Sequence, residues 1–126
     1  MAAVDELLAD ARARIEPRVQ PQDLDTERRA GTLIVDMRTT AQRAADGELP
    51  GAILVERNVL EWRLDPDSSA RLEEMDGPDR RVVIVCDEGY ASSLAAAGLR
   101  QLGLRDVTDL AGGYQAWRRL PLERIG

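Results

Sequence analysis

Cys86 is the only cysteine in the 126-residue chain, and its setting is well suited to chemistry. It follows the apolar run Val82-Val83-Ile84-Val85 and opens the segment Cys86-Asp87-Glu88-Gly89-Tyr90-Ala91-Ser92. A strand that ends at a thiol, with a helix starting within about five residues, sets the sulfur beside unpaired main-chain N–H groups. Such groups lower the energy of a thiolate and of any anion bound next to it. The thiolate is the nucleophilic form, so this context favours a reactive group over a small buried hydrophobe. Gly89 in mid-loop suits a backbone that needs an unusual dihedral. Ser92 could cap the helix or donate its hydroxyl to the sulfur.

The composition narrows that chemistry. Seventeen basic residues, all of them arginine, face 23 acidic ones for a net charge of −6, and the chain has no histidine. No Ser–His or Cys–His dyad can form, and the imidazole metal ligands are missing. One cysteine makes no internal disulfide. Asp65-Pro66-Asp67 has no further clustered oxygens and reads as a turn rather than a metal site. Neither a metal nor a cofactor is expected. A pI near 4.7 and no arginine run beyond two argue against nucleic acid as a partner. No apolar stretch is long enough to span a bilayer, and the acidic start MAAVDELLAD is unlike a secretory signal. The expectation is a cytoplasmic protein with no membrane partner.

The elements that must position the thiol follow from periodicity. Val4, Leu7, Leu8, Ala11 and Ile15 share one face of a helix over about 3–15. Arg18-Val19-Gln20 is short enough for a strand between two prolines, and Pro21 to Arg29 reads as a short helix. Thr32 to Asp36 is nearly all apolar, as strands buried on both faces are. A helix over about 40–46 stops at Gly47, and Ala52 to Val55 is a further strand. Arg57 to Trp62 suggests a helical turn and Ser69 to Met75 a helix. Val82 to Cys86 is a strand, and Ala91 to Leu102 a helix ended by Gly103. Val107 to Leu110 is the last strand, and Tyr114 to Arg119 the last helix. Strand and helix alternate, which indicates one α/β domain over 1–126. Its expected centre is a mostly parallel five-stranded sheet flanked by helices on both faces.

Four segments resemble those of the rhodanese-like sulfurtransferase family. Leu33-Ile34-Val35-Asp36-Met37-Arg38 is similar to its apolar strand ending in Asp-x-Arg. Gly47-Glu48-Leu49-Pro50-Gly51-Ala52 resembles its Gly-His-Ile-Pro-Gly-Ala turn, with Glu48 in the histidine position. Cys86 to Ser92 is similar to its Cys-x-x-Gly-x-x-Ser loop. Leu110 to Trp117 resembles its Gly-Gly-aromatic-x-x-Trp segment. The four stand in the family's order across about residues 18–121. The resemblance implies two-step covalent catalysis. Cys86 would take sulfur from a donor as a persulfide and pass it to an acceptor. The amides of Asp87, Glu88, Gly89, Tyr90, Ala91 and Ser92 would cradle the anions. The implied partners are a small sulfur donor or a persulfide-bearing protein.

Asp87 and Glu88 set this loop apart. Two carboxylates beside the cysteine oppose thiolate formation and repel a dianionic donor such as thiosulfate. At ~5 Å and an effective dielectric near 20, one such charge costs about 3 kcal/mol before screening. Arg38 or Arg57 could compensate if either lines the site, although surface ion pairing is the simpler reading of both. Asp36 is read as a tie for the active loop or neighbouring backbone rather than as a base. Trp62 and Trp117 are read as core or rim packing, and Tyr90 could face the entrance. The expected activity is therefore a persulfide-forming sulfurtransferase that uses thiosulfate poorly. The alternative is a rhodanese-like module that only binds partners, its acidic loop serving a basic protein. A cysteine phosphatase would need arginine six residues after the cysteine, where Ser92 stands. A thiol exchanger would need a second cysteine at Gly89.

Overall fold

The computed structural model describes residues 2–121. Four strands form one sheet: β1 (Leu33–Asp36), β2 (Ile53–Leu54), β3 (Val82–Val85) and β4 (Val107–Asp109). All are parallel, in the order β2-β1-β3-β4. The helices are α1 (Ala3–Ile15), α2 (Leu24–Arg29), α3 (Thr40–Asp46), α4 (Leu60–Leu64), α5 (Ala91–Leu102) and α6 (Gly113–Arg118). Single 3-10 turns at Pro21–Asp23 and Arg57–Val59 lead into α2 and α4.

Strand alternation divides the core into two layers. Leu33, Val35, Val82, Ile84 and Val107 face Ile15 of α1, Leu60 and Leu64 of α4, and Ala95, Ala96 and Leu99 of α5. Ile34, Val83 and Val85 face Leu24 of α2, with Tyr114 and Trp117 of α6. β1 and β3 are buried along their whole length, which explains their uninterrupted apolar sequences. Truncating a fully buried residue such as Ile84 to alanine would cost about 2–5 kcal/mol. The sheet's carboxyl edge, formed by Asp36, Val85 and Asp109, carries the loops that build the site.

The α/β architecture with a parallel sheet flanked by helices is as expected, but the sheet has four strands rather than five. The segment Arg18-Val19-Gln20 contributes a single parallel bridge between Val19 and Leu110. Val19 N donates to Asp109 O at 3.0 Å, and Val19 O accepts from Ala111 N at 2.8 Å. Pro17 and Pro21 bracket this bridge, and proline has no N–H with which to extend a ladder.

The helix expected over Ser69–Met75 is absent; the segment is a series of turns. Only Leu72 and Met75 are buried in it, too few anchors for an amphipathic face. Ser68 Oγ accepts from Ala70 N at 3.1 Å, the local side-chain bond that competes with helix. Trp117 is buried, whereas Trp62 is 58% exposed and belongs to neither core layer. Among the described residues no helix is long and apolar enough to cross a membrane.

Candidate active site

β3 delivers Cys86 to the carboxyl edge of the sheet, where ligands bind in open parallel sheets. The sulfur receives Gly89 N–H at 3.2 Å and Ser92 N–H at 3.3 Å. Its own proton can go to Ser92 Oγ, 3.2 Å away. The residue is 7% exposed and lines a cavity of about 360 Å³ together with Arg57, Asp87, Glu88, Tyr90 and Ala91. A second cavity of about 350 Å³, bordered by Glu56 and Asn58, shares Met37, Arg38, Thr39 and Arg57 with it.

The loop's shape is enforced from outside. Cys86 O accepts from Tyr114 N at 2.9 Å, and Asp87 O accepts from Gln115 N at 3.0 Å. Gly89 O accepts from Arg12 Nη2 at 2.8 Å and Arg18 Nη2 at 3.0 Å. In a trans peptide C=O and N–H point in opposite directions. Tying these three carbonyls outward therefore turns the N–H groups of Asp87, Glu88 and Tyr90 the other way. Among the described residues none of those three N–H groups meets a protein acceptor. They remain available to an anion at the sulfur.

Glycines permit this close fit. Gly89 has φ +85°, and a Cβ there would lie 2.7 Å from Gly112 N. A Cβ on Gly113 would lie 2.6 Å from Asp87 O. The Gly112-Gly113 turn thus lets the start of α6 lie directly against the thiol loop, beyond the turn geometry expected of it.

Behind the thiol lies a buried carboxylate that sequence reasoning missed. Asp109, at the end of β4, is fully buried. Its Oδ2 accepts from Ser92 Oγ and from Ser93 Oγ, each at 2.7 Å. Arg18 closes the group, with Nε 2.7 Å from Oδ1 and Nη2 3.1 Å from Oδ2. Cys86, Ser92 and Asp109 thus form one hydrogen-bonded chain. With its hydroxyl given to Asp109, Ser92 is fixed as an acceptor for the thiol. On a thiolate the hydroxyl could turn and donate to sulfur while Ser93 and Arg18 keep Asp109 satisfied. An acidic residue in the otherwise buried stretch Val107-Thr108-Asp109-Leu110 was the available signal, since a buried charge requires partners.

The remaining candidates divide. Asp36 and Arg38 form a fully buried ion pair, Nη2 to Oδ2 at 2.9 Å, and Asp36 Oδ1 also accepts Arg38 N–H at 3.0 Å. The Arg38 guanidinium donates to Gly47 O at 2.9 Å and stacks 3.6 Å above the Tyr114 ring centroid. The expected surface pairing of Arg38 is thus corrected. Its charge is interior, and it ties β1, the Gly47 turn and α6 together. Arg57 is half-exposed, paired with Glu61 at 3.0 Å, and lies at the cavity. Asp87 Oδ1 accepts from Gln115 Nε2 at 2.9 Å, whereas Glu88 is exposed. Tyr90 is 59% exposed at the rim. Among the described residues no cluster of three or more Cys, Asp or Glu side chains is placed to hold a metal ion.

A model of the rhodanese-like domain family matches residues 20–120. The thiosulfate sulfurtransferase GlpE of Pseudomonas fluorescens is 32% identical over 102 residues, covering 80% of this chain and 84% of that protein. A sulfurtransferase of Allochromatium vinosum is 36% identical over 95 residues, covering 75% and 77%. The human single-domain sulfurtransferase TSTD1 superposes with a TM-score of 0.67 at 25% identity, covering 83% of this chain and 97% of that one. A Rhodopseudomonas palustris protein described as of unknown function, and a possible tyrosine phosphatase, superposes with a TM-score of 0.81. It is 30% identical and covers 94% of this chain and 90% of its own. The chain belongs to the rhodanese-like domain family.

Proposed function

We propose that this chain is a sulfurtransferase that carries sulfane sulfur as a persulfide on Cys86. The observation that carries the reading is the cradle. Two amides reach the sulfur, at 3.2 and 3.3 Å, on the wall of a cavity with room for a small donor. The sulfurtransferase names of the Pseudomonas and Allochromatium relatives support it.

In the first step the Cys86 thiolate attacks the outer sulfur of a donor X–S. The new S–S bond forms as the X–S bond breaks, and X leaves with the electron pair. In the second step an acceptor nucleophile attacks the terminal sulfur. It forms its own bond to sulfur and returns the electron pair to Cys86 as thiolate. Neither step changes the net charge. Each moves an anion within the reach of the Asp87, Glu88, Gly89, Tyr90 and Ser92 amides, which are oriented before the reaction and need no reorganisation. Ser92 follows the charge by switching its hydroxyl between Asp109 and sulfur.

The donor is a weakly anionic or protein-borne sulfane, and thiosulfate is handled slowly. Asp87 and Glu88 line the cavity, while the charges of Arg38 and Arg57 are matched by Asp36 and Glu61. The excess charge facing a donor is therefore negative. A phosphatase reading, prompted by the Rhodopseudomonas palustris neighbour, lacks the bidentate arginine that would hold a phosphoryl group. Ser92 occupies that position with its hydroxyl on Asp109.

Intact-mass spectrometry after incubation with a low-molecular-weight persulfide tests the proposal. A gain of about 32 Da that disappears in Cys86→Ala is the expected result. No gain from that donor or from thiosulfate would leave a module that binds partners without transferring sulfur.

A further inference from the structure

Arg12 and Arg18 both precede the family match, which begins at residue 20, yet both reach the thiol loop. The two guanidinium groups converge on Gly89 O at 2.8 and 3.0 Å. Arg12 Nε also donates to Ser93 Oγ at 3.1 Å, and its guanidinium carbon lies 5.5 Å from the Tyr90 ring centroid. The charge of Arg18 is matched by buried Asp109. Arg12 differs: in a chain with 23 acidic residues, it meets no carboxylate among the described residues. A guanidinium whose donors go to a carbonyl and a hydroxyl keeps its full positive charge beside the loop. That loop carries Asp87 and Glu88, so the uncompensated cation and the two carboxylates stand on one structure. The Rhodopseudomonas palustris structure covers 94% of the chain, which is more than the family match spans.

We propose that Arg12 and Arg18 are positioning residues for the sulfur site, making α1 and the segment after it a working part of the centre. Together they hold the Gly89 carbonyl outward, which holds the Tyr90 N–H toward an anion on Cys86. Arg12 also offsets the field of Asp87 and Glu88 at the sulfur. The proposal deepens the sulfurtransferase reading and rests on it only in taking Cys86 as the reacting group.

The pH dependence of Cys86 alkylation by iodoacetamide tests it on the full chain. Arg12→Gln should displace the rate profile upward by about one pH unit, a roughly tenfold loss of rate at neutral pH. Arg12→Lys, which keeps the charge, should stay within about threefold of the parent. A merely structural role would lower the melting temperature of both variants and leave the profile in place. Superposition of the Arg12→Gln and parent profiles, or an equal loss in Arg12→Lys, overturns the proposal. Should Arg12→Gln not fold, Arg12→Met is read in the same way. Alkylation requires no sulfur donor. A chain whose profile shifts as expected but which accepts no sulfur refutes the sulfurtransferase reading alone, and the converse refutes the arginine proposal alone.

Discussion

Replacing Gly89 with alanine should disable the thiol loop more than it destabilises the protein. At Gly89 φ is +85°, and the added Cβ would stand 2.7 Å from Gly112 N and 3.1 Å from Gly113 N. The left-handed backbone alone costs alanine about 1–2 kcal/mol. The contacts are with backbone on the facing turn, so no side chain can rotate away, and relieving them adds about another 1–2 kcal/mol. If the whole ~3 kcal/mol were borne by the native state, the melting temperature would fall by about 10 °C. The loop can instead lift off α6 and break the bonds from Tyr114 N to Cys86 O and from Gln115 N to Asp87 O. That releases the strain and turns the Asp87 and Glu88 amides away from the sulfur. The expected outcome is a fall of about 5 °C, half of that bound, with at least a roughly tenfold loss of Cys86 alkylation rate. Two other glycines serve as controls. Gly103 has φ +121° with nothing within 4 Å of its would-be Cβ. Its alanine variant should lose only about 1–2 kcal/mol and keep its alkylation rate. Gly98 lies inside α5 with nothing within 4 Å, so Gly98→Ala should gain about 0.5–1 kcal/mol. Alkylation of Gly89→Ala at the parent rate, or an equal slowing in Gly103→Ala, would show that Gly89 does not set the thiol loop.

Three further outcomes follow from the same geometry. Asp109→Asn leaves Arg18 without its carboxylate and should cost about 3 kcal/mol in urea unfolding; a loss below about 1 kcal/mol would show that the buried group matters little. Asp87→Asn combined with Glu88→Gln should raise thiosulfate:cyanide turnover about tenfold at low salt, and the gain should shrink as ionic strength rises. Glu27 is held below the ordinary glutamate range chiefly by the Arg81 guanidinium, with Thr32 adding a further hydrogen bond. Its lowered folded-state value gives stability that is full above the unfolded glutamate range and lost as pH falls through the folded value. Glu27→Gln should accordingly cost about 1 kcal/mol near neutrality, a difference that closes in pH-resolved melts as pH falls below the ordinary glutamate range.

The parts of this molecule legible in its sequence are those set by local pattern. β1 and β3 announce themselves because both of their faces are buried, and α5 because its apolar stripe ends at Gly103. The thiol loop is legible as a contiguous segment. Val19 is harder to place, since a single bridge between two prolines leaves no alternating signature. The turns over 69–75 carry helix-like spacing in Leu72 and Met75 alone. The burial of Arg38 depends on what lies above it, namely the Tyr114 ring from the far end of the chain. Arg12, Arg18, Ser93 and Asp109 meet across as many as 91 residues of sequence, so only the folded sheet reveals that they surround Gly89 and Ser92. Asp109 alone left a trace, as a charge in a buried strand.

Single-turnover transfer asks whether Cys86 itself carries the sulfur. The protein is loaded with a low-molecular-weight persulfide, freed of excess donor and mixed with cyanide, and the thiocyanate formed is compared with the mass lost from Cys86. About one thiocyanate should form per loaded chain, with the ~32 Da adduct vanishing as it forms. A Cys86→Ser protein that yields as much thiocyanate, or a loaded Cys86 that keeps its sulfur in the presence of cyanide, would rule out transfer through Cys86.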